Sequence, residues 1–402
     1  MLYELPPEQY GNARPLFQPL ADQPFCTAVL ARIHPGRVLV DDRDHPQTAA
    51  VSRQDPWFFL AGDPENPPFN RALNEALSAR RIVRHDVPYL LITAHPGDWH
   101  GQLSVVFNPR RPLPAQRRHY VCRELNYDWR ADVPSDFTVQ PMDDTLLDRP
   151  GLIVPEEVSQ TIEQSRSIAG TRFRDFGFVV LSQDAGTGAA KVVSWATVDA
   201  IVDGVGDAGL FTLEDYRRRG LAAIAAAAAV EHGLSHGMLA VHWTCDEDNI
   251  GSIRTAEKLG FERQRDYTLY YVYFDQAEHR GAMEYTASRF ARKAEAAIKA
   301  GQYAEAASHY DQVLALRNDA SASDYHLAAR AWAALGNTDR ATEYLHEAAG
   351  RGWDLLYHTR TCKEFKFLHG SAGWTAVLDR IQQNRSGVGT KRPGLPPVSS
   401  AR

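Results

Sequence analysis

The chain has 402 residues, 44% hydrophobic and 23% charged, with a formal net charge of −6. That balance is ordinary for two or three globular domains and argues against a general nucleic-acid binder. No apolar run approaches the ~18 residues of a membrane span, and the opening MLYELPPEQYGNARPLF lacks the basic and apolar regions of a secretory signal. The four cysteines, Cys26, Cys122, Cys245 and Cys362, stand far apart without a CxxC pair. They fit reduced thiols in a cytoplasm better than a disulfide framework.

Residues 1–130 read as a smaller α/β lobe. TAVLARIHPGRVLVDD holds two β-like runs around Pro35-Gly36, and VSRQDPWFFLAGD offers more strand. In NPPFNRALNEALSARRI, Asn66 can cap, prolines occupy the first turn, and Phe69, Leu73, Ala76 and Leu77 share a helix face. YLLITAH and RRHYVCREL are further strands, and the polar stretch NYDWRADVPSD closes the lobe.

Over 135–278 the order is strand, helix, three strands, helix, strand, helix, strand. The pieces are FTVQPMD, EEVSQTIEQSRSI, FGFVVL and KVVSWATVDAI joined by a Gly/Ala turn, DAGLFTL, an alanine-rich helix, LAVHWTC, SIRTAEKL and DYTLYYVYF. Neighbouring strands first, then strands alternating with helices, predict an α/β fold with a mixed, mostly antiparallel sheet flanked by helices.

From 283 to 384 the pattern is helix only. AIKAGQYAEAASHYDQVLAL and AWAALGNTDRATEYLHEAA share an internal offset, with Gly301 matching Gly336 and Ala306 matching Ala341. The pair resembles tetratricopeptide repeats, whose period is ~34; an ordinary helical hairpin is the alternative. The Pro, Gly and Ser of SGVGTKRPGLPPVSSAR predict a disordered tail over 385–402.

The segment YRRRGLAAIAAAAAV places three arginines and a glycine at the start of a helix, where the macrodipole is already positive. Such a start suits an anion, since unpaired N–H groups point outward there and glycine admits a phosphate to the backbone. An exposed basic turn is the plain alternative. Some thirty residues on, NIGSIRTAEKLGF has Asn249 opening a helix and Gly260-Phe261 closing it.

Together, in this order and within this sheet pattern, the two segments resemble the GCN5-related N-acetyltransferase (GNAT) superfamily. The likeness looks closest to the subgroup that includes zwittermicin self-resistance acetyltransferases, in which a similar lobe precedes the acetyltransferase lobe. It implies that backbone amides of Arg217, Arg218, Arg219, Gly220, Leu221 and Ala222 cradle the diphosphate of acetyl-CoA. Arg218 and Arg219 either neutralise its 3′-phosphate or stay solvated. It implies further that Leu210, Phe211 and Thr212 form the strand beside the pantetheine arm, with an N–H polarising the thioester carbonyl. Asn249 and Ser252 match positions near the pantetheine, and helix capping accounts for each equally well.

One departure stands out: the superfamily's proton-donating tyrosine falls on Ala256. Cys245, Tyr267 and Tyr270 are the substitutes, Cys245 being nearest the strand end. Glu214, Asp246 and Glu247 are candidates for the base, with Glu214 favoured because it follows the pantetheine strand. His232 and His236 have zinc-ligand spacing but no obvious third ligand, so no metal is expected.

The resemblance thus implies an enzyme that moves acetyl from acetyl-CoA to a primary amine of a small molecule by direct attack in a ternary complex. The alternatives are an interaction or acyl-CoA-sensing protein whose repeat-like helices bind a protein partner, and a protein acetyltransferase that uses those helices to dock its substrate. Neither a nucleic acid nor a membrane is expected as partner. The first lobe is left as either a wall of the acceptor pocket or a degenerate second acetyltransferase lobe.

Overall fold

Through Met1–Asp275, one of two compact units, strands and helices run twice through the same order. This computed structural model describes residues 1–53, 55–167, 175–183 and 190–386. In the first half β1 (Tyr3–Glu4), β2 (Arg37–Val40), β3 (Thr48–Ser52) and β4 (Trp57–Gly62) are antiparallel neighbours, with helix α1 (Pro24–Leu30) between β1 and β2. Helix α2 (Pro67–Ser78) then crosses to β5 (Tyr89–His95), parallel to β4, and α3 (Trp99–Val106) leads to β6 (Leu113–Cys122).

The second half repeats this. β7 (Phe137–Pro141), helix α4 (Glu156–Ser167), then β8 (Phe176–Gln183), β9 (Ala190–Val202) and β10 (Val205–Thr212) give an antiparallel series. Helix α5 (Leu221–Ser235) crosses to β11 (Ala240–Asp246), parallel to β10, and α6 (Ile250–Lys258) leads to β12 (Glu262–Tyr273).

Both halves lie in one 12-stranded sheet ordered β1-β2-β3-β4-β5-β12-β6-β11-β10-β9-β8-β7. Each half's last strand is therefore inserted into the other half: β12 between β5 and β6, and β6 between β12 and β11, all antiparallel. The expected boundary near 130–135 falls where the chain passes from β6 to β7, yet the sheet continues across it. β12 pairs with β6 along one edge and with β5 along the other, and its second half is apolar on both faces. Tyr267 and Leu269 pack with Leu91, while Val272 enters the core formed by Leu73, Leu77 and Ile92.

Local chemistry explains the helices. Asn66 caps α2 by accepting from the Phe69 N–H at 3.2 Å, and Phe69, Leu73, Ala76 and Leu77 are all buried. In α5, Ala223 and Ala225 to Ala229 are buried under the sheet; alanine combines the best helix propensity with the close approach this requires. One expectation fails. TAVL is not a strand but lies in α1, where Pro24 pre-sets the first turn and Cys26, Val29 and Leu30 are buried. The Gly/Ala turn after β8, the end of the helix expected at EEVSQTIEQSRSI and residues 387–402 of the expected tail lie outside the described residues.

The second unit is helical: α7 (Gln276–Lys299), α8 (Tyr303–Leu316), α9 (Ala322–Ala334), α10 (Thr338–Gly350), α11 (Leu356–Thr361) and α12 (Ala372–Arg385). Gly301 and Gly336 have φ of +75° and +77° in the turns before α8 and α10, and Ala306 and Ala341 are fully buried. The matched positions thus do matched jobs.

Candidate active site

The parallel pair β10–β11 is joined only at its start, by Val205↔Ala240, Gly206↔Val241 and Asp207↔His242. Beyond that point β11 stays with β6, while Ala208 to Thr212 of β10 keep only β9 as neighbour. The strands splay, leaving a backbone edge of β10 open. In the first half, β4 and β5 pair from Trp57↔Leu91 through Ala61↔His95.

At the far end of the open edge the chain turns through Glu214–Tyr216 and enters α5. Arg218 and Gly220 have φ of +63° and +79°, and Gly220 occupies the N-cap position with no side chain to cap the helix. A Cβ built on Gly220 meets nothing within 4 Å. Among the described residues no group accepts from the backbone N–H groups of Arg218 to Ala223. This is a ready anion cradle of unpaired donors at a helix N-terminus.

Arg217, Arg218 and Arg219 are exposed, and no described carboxylate lies within ion-pair distance of them. Arg217 turns back, its Nε donating to the Thr212 carbonyl at 3.1 Å. Leu221 is buried in the core and Ala222 is half-buried, so from these two only the backbone reaches the cradle. The corresponding helix of the first half, α2, is capped by Asn66 and begins with two prolines, which removes the donors.

The two faces of the splayed region differ. Toward α5 and α6 lie Ala208, Leu210, Trp243, Cys245 and Ala256. Asn249 caps α6 by accepting from the Ser252 N–H at 3.1 Å, and the Ser252 hydroxyl accepts from Trp243 Nε1 at 2.9 Å, so both have local jobs. Ala256 is fully buried. Cys245 is buried too, and burial raises its thiol pKa against a hydrogen bond with Ser252.

The other face carries three cross-strand pairs in succession: Asp207↔Asp199, Gly209↔Thr197 and Phe211↔Trp195. Burial drives the Asp207 carboxyl up to about 8, with Arg117 opposing and Asp199 adding to the rise. Burial and the nearby Asp175 bring Asp199 to about 6, although it accepts from the Thr197 hydroxyl at 2.8 Å. Arg117, on β6, pairs with Asp246 at 3.3 Å and donates to Thr244 at 2.9 Å. Tyr267 is 8% exposed, and its hydroxyl lies beside Thr244 without a hydrogen bond of normal geometry. Beside this cluster His119 and His242 meet edge to face at 4.7 Å, and burial and His242 bring His119 down to about 4.

Of the sequence-derived candidates, the structure brings together Leu210, Phe211 and Thr212 on the open edge and residues 218–222 in the cradle, whereas the Arg217 N–H is taken by the Glu214 carbonyl at 3.2 Å. Phe211 is 45% exposed, and its ring meets Trp195 at 4.9 Å with the planes tilted by 33°. Glu214 is exposed on the turn beyond β10. Asp246 is already engaged by Arg117, and Glu247 follows it at the end of β11. Tyr270 is corrected: it points away from the splay, meeting His100 at 5.3 Å against the first half's core, because its neighbour Tyr267 takes the other face. His232 and His236 stack at 4.0 Å at the end of α5. Among the described residues no group of three metal-binding side chains forms, and no helix is long and apolar enough to cross a membrane.

Sequence reading passed over Asp199 and Asp207. The available signal was an aspartate inside each of two otherwise apolar strands, ATVDAIV and VGDAGLF.

A family model described as GNAT acetyltransferase matches residues 14–270, both halves of the sheet together. An uncharacterized N-acetyltransferase of Bacillus subtilis (strain 168), YdfB, is 24% identical over 275 residues, covering 67% of this chain and 98% of its own. A GCN5-related N-acetyltransferase-like protein from Streptococcus suis 89/1591 is 23% identical with a TM-score of 0.49, covering 66% of this chain and 98% of that one. A tandem GNAT protein from the clavulanic acid biosynthesis pathway is 15% identical with a TM-score of 0.42, covering 67% and 98%.

Proposed function

The chain belongs to the GNAT acetyltransferase family, and from that premise we propose that this acyltransferase moves acetyl from acetyl-CoA to a primary amine of a small molecule. The observation that carries the reading is the splay: an open β10 edge leading to a turn of unpaired N–H groups at Gly220. The residues fit the co-substrate. The amides of residues 218–222 would receive the diphosphate, the Arg217 N–H being given to the Glu214 carbonyl; Arg218 and Arg219 would meet its further negative charge, and Leu210 to Thr212 the pantetheine arm. Bound there, acetyl-CoA supplies the acetyl group as a thioester.

Asp207 serves as the base, in place of Glu214. It stands where β10 and β11 part, on the face away from α5, with a carboxyl near 8 that is matched to taking a proton from an ammonium ion. A β10 backbone N–H stabilises the charge gathering on the carbonyl oxygen. Cys245 serves as the acid. It lies on the same face as Ala256, and a thiol pushed up by burial is a proton donor rather than a nucleophile.

The proton balance closes. The ammonium gives one proton to Asp207, the nitrogen forms its bond to the acyl carbon, and the carbon–sulfur bond breaks. Cys245 protonates the departing sulfur and regains a proton from the acylated nitrogen. The first half is the degenerate partner lobe: its parallel strands stay paired and its helix is capped, which fits a role in walling the acceptor site.

Calorimetric titration of acetyl-CoA into the full-length protein tests the reading. Micromolar binding, followed by acetylation of added amines, is expected. Absence of binding to the folded protein would overturn it.

A further inference from the structure

The three cross-strand pairs on the open face form a graded strip. At the apex of the splay stand two carboxyls, Asp199 and Asp207, on directly opposed residues. Like charges so placed repel, and the nearest cations are engaged elsewhere: Arg53 with Asp55 at 3.1 Å and Arg117 with Asp246 at 3.3 Å. Asp207 Oδ1 is buried without a hydrogen bond. Next comes Gly209, where a Cβ would crowd the Thr197 hydroxyl at 3.0 Å and lie 3.8 Å from Asp199 Oδ2, so any side chain here would intrude on the middle of the strip. At its outer end lies the exposed ring of Phe211 on Trp195. A second feature points to a ligand at the apex. The Tyr267 hydroxyl, on a side chain more than nine-tenths buried, interacts electrostatically with Asp207 and has no hydrogen bond of its own.

We infer that the acceptor is a compact, singly charged primary amine with an apolar, ring-sized body. Its ammonium lies between Asp199 and Asp207, its body spans Gly209 to Phe211, and its arrival expels the one proton that the pair holds. This rests on the acetyltransferase reading above and adds the charge state and class of the acceptor. Asp199 is here a positioning residue and Asp207 remains the base.

The sign follows from the groups facing the pair. Arg53 from the end of β3 and Arg117 from β6 favour ionisation, as does His34 at Asp199, while Asp175 opposes it. Tyr267 from β12 and His242, the register partner on β11, complete the surround, and α1 contributes Ala28 against Ala200. Between about 6 and about 8 the empty pair holds one proton. An ammonium ion favours two negative charges, so binding releases that proton and tightens as pH rises through this window. When Asp207 takes a proton from the bound ammonium, the pair is restored and neutral amine is left facing the thioester.

Titration of phenethylamine into the full-length protein with coenzyme A bound, in two buffers of different ionisation enthalpy, tests this. The expected result at pH 7 is release of about one proton per amine, with affinity rising up to ~10-fold per pH unit. Asp199→Asn should abolish the release and weaken binding at least ~10-fold, by loss of one partner to a charged group. Gly209→Val should block the amine while acetyl-CoA still binds, which also certifies the fold. The inference is overturned by phenethylamine binding without proton release, by unchanged binding in Asp199→Asn, or by tighter binding of the dication putrescine. It also fails if acetyl-CoA binds and phenethylamine does not. Failure of acetyl-CoA itself to bind would instead remove the reading beneath it.

Discussion

Replacing Gly220 by glutamate and, separately, by glutamine isolates charge from every other change at that position. Both side chains impose the same backbone cost, since φ is +79° there and a Cβ in the left-handed region costs ~1–2 kcal/mol. Neither clashes, because the space around the missing Cβ is open to 4 Å. Both variants should therefore melt lower by a similar few degrees. The difference between them is one carboxylate beside the diphosphate. At ~4 Å in a water-exposed setting each charge pair is worth ~1 kcal/mol, so two phosphate charges give ~2 kcal/mol, or ~30-fold in Kd for acetyl-CoA. Screening should shrink that ratio toward unity as salt approaches 1 M, where the Debye length falls to ~3 Å. Calorimetry on the glutamate, glutamine and parent proteins at low and high salt reads all of this. Equal affinity for the two variants at low salt would refute the cradle, however much each is destabilised.

Asp207→Asn should lower kcat/KM by ~10²–10⁴ and remove the limb of the pH–rate profile that titrates near 8; an unchanged profile would move the base elsewhere. Asp207 also carries a stability signature. Its folded pKa lies above its unfolded one, so its contribution is full below the unfolded pKa and is lost as pH rises through about 8. Thermal melts of Asp207→Asn should accordingly gain on the parent between pH 5 and pH 8, and a constant gap would contradict the burial. Cys245→Ala should reduce kcat by ~10² at saturating acetyl-CoA, while the parent's Cys245 resists iodoacetamide at pH 7.5; undiminished turnover would show that the sulfur needs no donor. In the helical unit, hydrogen bonds from Arg330 and Cys362 outweigh burial and hold Glu364 down at about 2. Arg330→Met leaves that carboxylate buried without its cation, held only by Cys362 and the Tyr303 hydroxyl, which should cost up to ~3–5 kcal/mol in denaturant unfolding at pH 7. The pair's contribution is present above the unfolded glutamate pKa and fades as pH falls toward 2.

Most of the elements, and the cradle, could be read directly from the sequence because their determinants are local. Asn66 with two prolines and a 3.6-residue apolar stripe specifies α2, and Arg217 to Ala222 announces a strand–turn–helix with room for an anion. TAVL went wrong for the converse reason: a threonine and three apolar residues carry no period, and Pro24 together with burial against the sheet decided for helix. The acidic pair was invisible as a pair. Asp199 and Asp207 are separated by a hairpin, and only the register of β9 against β10 sets them face to face. Tyr267 and Tyr270 differ by three residues on one strand and so fall on opposite faces, a distinction that composition cannot make. The exchange of β6 and β12 depends on pairings more than a hundred residues apart, which no local signal encodes.

That exchange has a consequence for how the molecule is made. β6 leaves the ribosome early, but the gap between it and β5 can be filled only by β12, which ends at Tyr273. The first half is thus synthesised with two unsatisfied strand edges flanking the empty place of its missing strand, and it waits about 150 residues for closure, ~8–30 s at elongation rates of ~5–20 residues per second. Edges of that kind invite pairing with other chains. Nascent chains stalled before residue 262 should therefore be the stage at which this protein most depends on a chaperone.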